Sequence, residues 1–189
     1  MKKVLASMLV MVIAFPLAAS AQEIEKEIAV TGGSLQFAQT RLSFNDITLS
    51  SRDNLKSQAD SFLRAIDDRG NGAGWAYSVA ATDFVTTMDG QEFKLPASIV
   101  QFTTTLKNTI SGVPIDFTQG GELAQNKVLS SVPSTIVSAD VGKGQGAYDF
   151  EVNYILSLPK TMTNSEGAEI GVIAGTYKSV FTYTATSGI

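Results

Sequence analysis

Two residue types are missing from this 189-residue chain, cysteine and histidine. Without cysteine no disulfide staples the fold, so stability must come from packing and hydrogen bonding. Without histidine the commonest general base is gone, and with it the usual serine and cysteine triads and most zinc and copper sites. Basic residues are also scarce: 14 Lys and Arg face 18 Asp and Glu, a formal charge of −4. That balance argues against nucleic acid, whose phosphates attract a basic face, and against charge-driven binding to anionic lipid. Tryptophan occurs once, at Trp75.

The N-terminus has a basic start at Lys2 and Lys3, an apolar run from Val4 to Leu17, and small residues at Ala19-Ser20-Ala21. These are the three parts of a secretory signal peptide cleaved before Gln22. The run is shorter than the ~20 residues that cross a bilayer, which disfavours a membrane anchor. No second apolar span or sorting motif follows. The expected organisation is a signal peptide over 1–21 and one domain over 22–189, long enough to bury a core. Removing the signal takes two lysines and no acid, moving the formal charge from −4 to −6.

The periodicity of the mature chain is that of strands. Residues 24–30 read as a first strand, and Leu35 and Phe37, Leu42 and Phe44, and Ile47 and Leu49 as short alternating pieces. Residues 50–60 are polar and read as a loop or short helix. The next piece, Phe62 to Ile66, leads as a strand into a glycine turn. Residues 86–90 read as a turn, and 93–102, with Pro96, as an irregular connection or edge strand. Residues 103–106 are β-prone, 111–114 turn the chain, and 134–138 form another strand candidate.

The clearest strand runs from Tyr148 through Phe150, Val152, Tyr154, Leu156 and Leu158, with mostly polar residues between them. One face is buried and the other wet, as in antiparallel sheets. The last strand is read from Thr176, with Tyr177, Ser179, Phe181, Tyr183 and Ala185 on one face and mostly threonines on the other. The expected fold is all-β, an antiparallel sandwich or barrel-like body, with short helices or insertions at 50–60 and 118–127.

The stretch from Asp67 to Phe84 organises the rest. Gly70, Gly72 and Gly74 permit a tight turn just before Trp75. Beyond it Trp75, Tyr77 and Val79 share one strand face. Neither Gly70-x-Gly72-x-Gly74 nor Gly142-x-Gly144-x-Gly146 is a dinucleotide loop, because each leads into a strand where a helix is required. Asp67 and Asp68, with Asp83 or Asp89, offer hard oxygens for calcium, but at no recognised spacing. A turn with a local ion pair to Arg69 is the plainer reading, and no metal or cofactor is expected. Trp75, Tyr77, Tyr177, Phe181 and Tyr183 are the candidate binding set. Facing outward they offer flat area to sugars or peptides; facing inward they are core.

Asp68-Arg69-Gly70-Asn71-Gly72-Ala73-Gly74-Trp75, with its strand ending at Asp83-Phe84, resembles the first motif region of WxL-domain proteins. The segment from Gly175 to Thr184 resembles their second, C-terminal motif. The resemblance implies a β-rich module of Gram-positive cell surfaces, attached non-covalently to peptidoglycan or another wall polymer, often beside other surface proteins. Two departures stand out. Trp75-Ala76-Tyr77 lacks the signature leucine. Phe181, Thr182, Tyr183 and Ala185 stand where the distal motif has an apolar residue, Thr, Trp and Leu. Tyr77 filling the space given up at Ala185 is one expectation drawn from this.

Three functions are thus distinguished. The first is a secreted, non-catalytic binder of the cell wall, with Trp75 and the distal aromatics as ligand platform or as the frame holding it. The second is a matrix or fibre subunit that adds strands to neighbours at open sheet edges. The third is a glycan-cleaving enzyme with two carboxylates, for which no acid pair is singled out.

Overall fold

Thirteen strands and one short 3-10 turn make up the described part of the chain. The structure, a computed structural model, describes residues 27–164 and 166–188. It divides into a unit spanning Met1–Val30 and one spanning Thr31–Ile189. The expected signal peptide and residues 24–26 of the expected first strand lie outside the described residues. Residues 27–30 of that strand carry no regular structure.

The second unit holds three antiparallel sheets. The largest has the order β1 (Leu35–Gln39), β2 (Lys56–Asp67), β10 (Gly146–Ser157), β6 (Val100–Gly112) and β8 (Lys127–Val128). The second runs β13 (Phe181–Ser187), β3 (Trp75–Ala81), β9 (Ser134–Ala139) and β7 (Gly121–Leu123). The third runs β12 (Glu169–Gly171), β11 (Thr161–Asn164), β5 (Gln91–Leu95) and β4 (Phe84–Met88). The all-β class expected from the periodicity is what the chain adopts.

Strand β10 explains much of the core. Its inward residues Tyr148, Phe150, Val152 and Tyr154 are wholly buried. In register beside them on β2 lie Ala65, Leu63, Ser61 and Ala59. Large side chains on one strand thus neighbour mostly small ones on the next, which lets aromatic rings fill the layer without overpacking. The outward residues form a polar ladder in which Arg64 clasps Asp149 at 2.7 and 2.9 Å and Asn153 meets Asp60 at 2.6 Å.

Several expected local forms differ. Of the loop or short helix expected at 50–60 and the short helices or insertions expected at 118–127, no helix forms, and residues 50–55 are loop. Lys56 onward belongs to β2, and β7 occupies 121–123. Among the described residues the one helical element is a 3-10 turn at Ala97–Ile99, directly after Pro96. The irregular connection expected over 93–102 narrows to residues 96–99, with strands on either side.

The turn expected at 86–90 is instead the end of β4 and a two-residue hairpin loop. Asp89 and Gly90 have φ of 49° and 76°, the left-handed pair that suits a twisted hairpin. Residues 40–50 form no strand, yet Leu42, Phe44 and Ile47 pack against the core. Their backbone is served by side chains: the Ser61 and Ser57 hydroxyls donate to the carbonyls of Thr40 (2.8 Å) and Asn45 (3.0 Å). Buried serines on β2 therefore stand in for a missing ladder partner.

Both glycine turns close on Trp75. Its indole is wholly buried, and Nε1 donates to the Gly144 carbonyl at 3.0 Å. Gly144 has φ +75°, and a Cβ there would lie 2.5 Å from Trp75 Nε1. The Gly142 amide donates to the Gly72 carbonyl at 2.7 Å, joining the two turns directly. Replacing Gly144 with Ala combines backbone strain with loss of the space the indole occupies. Gly144→Ala is expected to destabilise the fold by at least about 2 kcal/mol, more than strain alone costs. Urea unfolding checks this; an unchanged midpoint would show that the turn does not clamp the indole.

Candidate functional site

The site begins at the corner formed by Asp67, Arg69 and Trp75. Asp67 closes β2 and is almost wholly buried. Both its oxygens accept from Arg69, at 2.8 Å from Nε and 2.8 Å from Nη2. That pairing holds the Asp67 carboxyl below its usual range, against the opposing effect of burial. Arg69 also donates to the Gly74 carbonyl at 2.9 Å and to the Ser187 hydroxyl on β13. The ion pair read from Asp67-Asp68-Arg69 is therefore a tie between three strand ends. It also occupies the carboxylate that a calcium site would need. Among the described residues no group of three acidic side chains converges.

The two motif segments lie side by side. Strand β13 pairs antiparallel with β3 along its whole length, from Phe181 opposite Ala81 to Ser187 opposite Trp75. The distal strand starts later than Thr176. Residues 176–180 change partners on the way: Lys178 exchanges two 2.8 Å backbone bonds with Val85, and Thr82 then bonds to Val180 at 3.0 Å. The chain thus passes from the edge of β4 to the edge of β3, and only there becomes a continuous strand.

The five candidate residues divide by depth. Trp75 is wholly buried and touches the others through Phe37, whose ring meets it edge-on at 5.5 Å. Phe37 stacks on Tyr77 at 4.7 Å, and Tyr77 stacks on Tyr183 at 5.8 Å. Phe181 meets Tyr154 and Phe84 edge-on at 6.4 and 6.2 Å.

Tyr77, Tyr177, Phe181 and Tyr183 all line one groove of about 920 Å³. Its other wall comes from residues 39–42 and Phe44. The sequence reading missed this wall. Gln39 was visible two residues beyond Phe37 on the same strand face, but Arg41 and Lys178 carried no pattern that would mark them. The only charged residues lining the groove are Arg41 and Lys178, both exposed.

Hydroxyls gather behind the aromatic wall. Tyr77 donates to Gln39 Oε1 at 3.1 Å. Burial, and secondarily the neighbouring Tyr183, push the Tyr77 phenol from 10.0 up to about 12. Burial also raises Tyr154 and Tyr183. The buried Tyr154 hydroxyl and the Gln39 amide lie together with the Tyr183 hydroxyl behind the wall.

With the fold and groove described, the class is a surface-binding β domain. The chain belongs to the WxL family, described as WxL domain surface cell wall-binding, whose pattern matches residues 27–186. Membership associates it with the cell surface. No curated protein matches the sequence. Among the solved structures that match is the collagen binding domain of Erysipelothrix rhusiopathiae surface protein RspB. Identity is 10%, the likeness spans 84% of this chain and 60% of that one, and the TM-score is 0.20. No helix among the described residues is long and apolar enough to cross a membrane.

Two measurements test the geometry. All five tyrosines have phenols raised by burial. A raised folded-state value favours the neutral phenol, so the stability it brings is complete below the unfolded value and is lost as pH rises. The window for Tyr77 runs from 10.0 to about 12. Tyrosinate absorbance is expected to lag free tyrosine and to rise with loss of strand circular dichroism. Full ionisation at ordinary pH with the strands intact would contradict the packing.

The second test concerns Tyr77 and Ala185, which are direct cross-strand partners. Tyr77→Leu and Ala185→Leu are expected to couple by at least about 0.5 kcal/mol in a double-mutant cycle. Additivity would mean that Tyr77 does not fill space left by Ala185.

Proposed function

We propose that this is an exported, non-catalytic protein, cleaved before Gln22, that holds non-covalently to peptidoglycan or a companion polymer of a Gram-positive wall. The observation that carries the reading is the convergence of Tyr77, Tyr177, Phe181 and Tyr183 on one groove in a chain of this family. Half-buried aromatic rings fixed by their neighbours offer sugar faces a rigid apolar platform at little entropic cost. In this reading Trp75 is the frame and not the contact surface. It anchors Phe37 and Tyr77, which in turn set Tyr183.

The same lining supports the non-catalytic part of this reading. Two-carboxylate glycoside cleavage needs paired acids flanking the bond, and no acid lines the groove. Replacing Asp67 and Asp68 with Asn is therefore expected to change stability and not to remove a hydrolytic activity.

The direct experiment is co-sedimentation of the mature protein with purified wall material. Wild type is expected in the pellet, and Phe181→Ala with Tyr183→Ala in the supernatant, weakened by roughly tenfold or more per lost aromatic anchor. Circular dichroism of the variants separates lost contact from lost fold. Equal recovery of wild type in the supernatant with and without wall material would reject the reading.

A fibre-type role retains one observation in its favour. Among the described residues strand β13 has a bonded strand neighbour on one side only, which leaves its outer edge as a place for another strand. Light scattering that rises with concentration would favour it over monomeric wall binding.

A further inference from the structure

Charge separates the groove from the rest of the molecule. The chain is acidic, with a pI near 4.8. Yet the groove lining carries two cations and no acid. Among the described residues, the salt bridges engage Arg64, Arg69, Lys94, Lys107 and Lys127, and neither Arg41 nor Lys178 is among them. Other cations outside the salt bridges, such as Lys56 and Lys160, do not line this groove, so two cations beside it and no acid suit it to a negative partner.

The uncharged groups at this place agree. Gln39, Tyr77 and Tyr183 line the groove, and their amide and hydroxyls form one polar cluster with the buried Tyr154 hydroxyl behind them. Amide and hydroxyl groups beside two cations suit the oxygens of a sugar.

We propose that the groove takes a sugar unit bearing an anionic group, with the ring against Tyr183 and Phe181 and the anion at Arg41 and Lys178. The inference rests on the wall-binding reading above and narrows it from wall polymer in general to its anionic saccharides. Two sources carry that chemistry, sugar phosphodiesters of wall polymers and the carboxylates of peptidoglycan itself.

The test is co-sedimentation of the mature protein with purified Gram-positive walls over a range of salt. Three wall preparations are compared: untreated, freed of phosphodiester polymers by cold hydrofluoric acid, and amidated at their carboxyls. The double variant Arg41→Gln, Lys178→Gln is compared with Lys56→Gln, Lys160→Gln, which changes net charge equally at exposed positions that do not line the groove. Loss of two charge-assisted contacts is expected to weaken binding by about tenfold or more at low salt and to flatten its salt dependence. The control is expected to stay within about twofold of wild type, as distant exposed charges are screened. Both variants are expected to keep the wild-type melting temperature.

Loss of affinity after hydrofluoric acid would support the proposal with phosphodiesters as the source; loss after amidation would support it with carboxylates. The proposal is overturned, with wall binding intact, if the groove variant binds like wild type, if both variants weaken equally, or if neither wall treatment matters. If wild type fails to bind untreated walls, both readings fall together.

Discussion

The indole N–H of Trp75 needs an acceptor in a place no water reaches, and the fold is arranged to supply one. The Gly144 carbonyl does so at 3.0 Å. Bringing a carbonyl that close to the indole nitrogen leaves no room for a Cβ, so the acceptor must come from glycine in the left-handed region. Gly74, immediately before the indole, has φ +70°, and a Cβ there would lie 2.8 Å from the Ala139 carbonyl oxygen. Two glycine triplets far apart in sequence thus become one device. Burying an indole contributes on the order of 3–5 kcal/mol when judged by truncation, but only because its one polar atom is matched.

From that corner the constraint spreads through Arg69. A buried carboxylate without a partner would cost several kcal/mol, so Asp67 requires the guanidinium. Once held there, the guanidinium also reaches the Gly74 carbonyl and Ser187. The end of β2, the start of β3 and the end of β13 are consequently fixed to one group. The register of β13 on β3 follows, and that register sets Tyr183 beside Tyr77. The groove is thus positioned by chemistry at its far end, although Trp75 contributes no surface to it.

The legible parts of the sequence were those with strict alternation. Strands β3 and β10 followed from it, as did the turn before Trp75, because a period of two is hard to mistake over six or more residues. Short strands were hidden. Phe84 to Leu95 forms a hairpin whose signal, Asp89-Gly90, is a recognised two-residue turn, but Thr86 and Thr87 looked like loop residues beside it. Residues 40–50 kept alternation without becoming a strand, and there the Ser61 and Ser57 hydroxyls serve the Thr40 and Asn45 carbonyls from the side. Residues 176–180 broke the expected strand because their backbone bonds go to Val85 and Thr82 before β3 is reached. Of the candidate site, the aromatic wall was readable and the wall of residues 39–42 was not. Which loop faces which sheet edge is a tertiary fact with no local pattern behind it.

Alternation assigns a side chain to a face but says nothing of depth along that face. The choice between core and platform for the aromatic set was therefore framed too sharply. Across β3 and β13 the rings form a graded series, from Trp75 with no exposure, through Tyr77 at 8%, to the half-buried Tyr183 and Phe181. The buried end pins the half-exposed end through stacked contacts of 4.7 and 5.8 Å. A rigid exposed ring is what recognition of a flat partner requires, since a mobile one would lose its rotamer freedom on binding. The core and the surface here are two ends of one packed row.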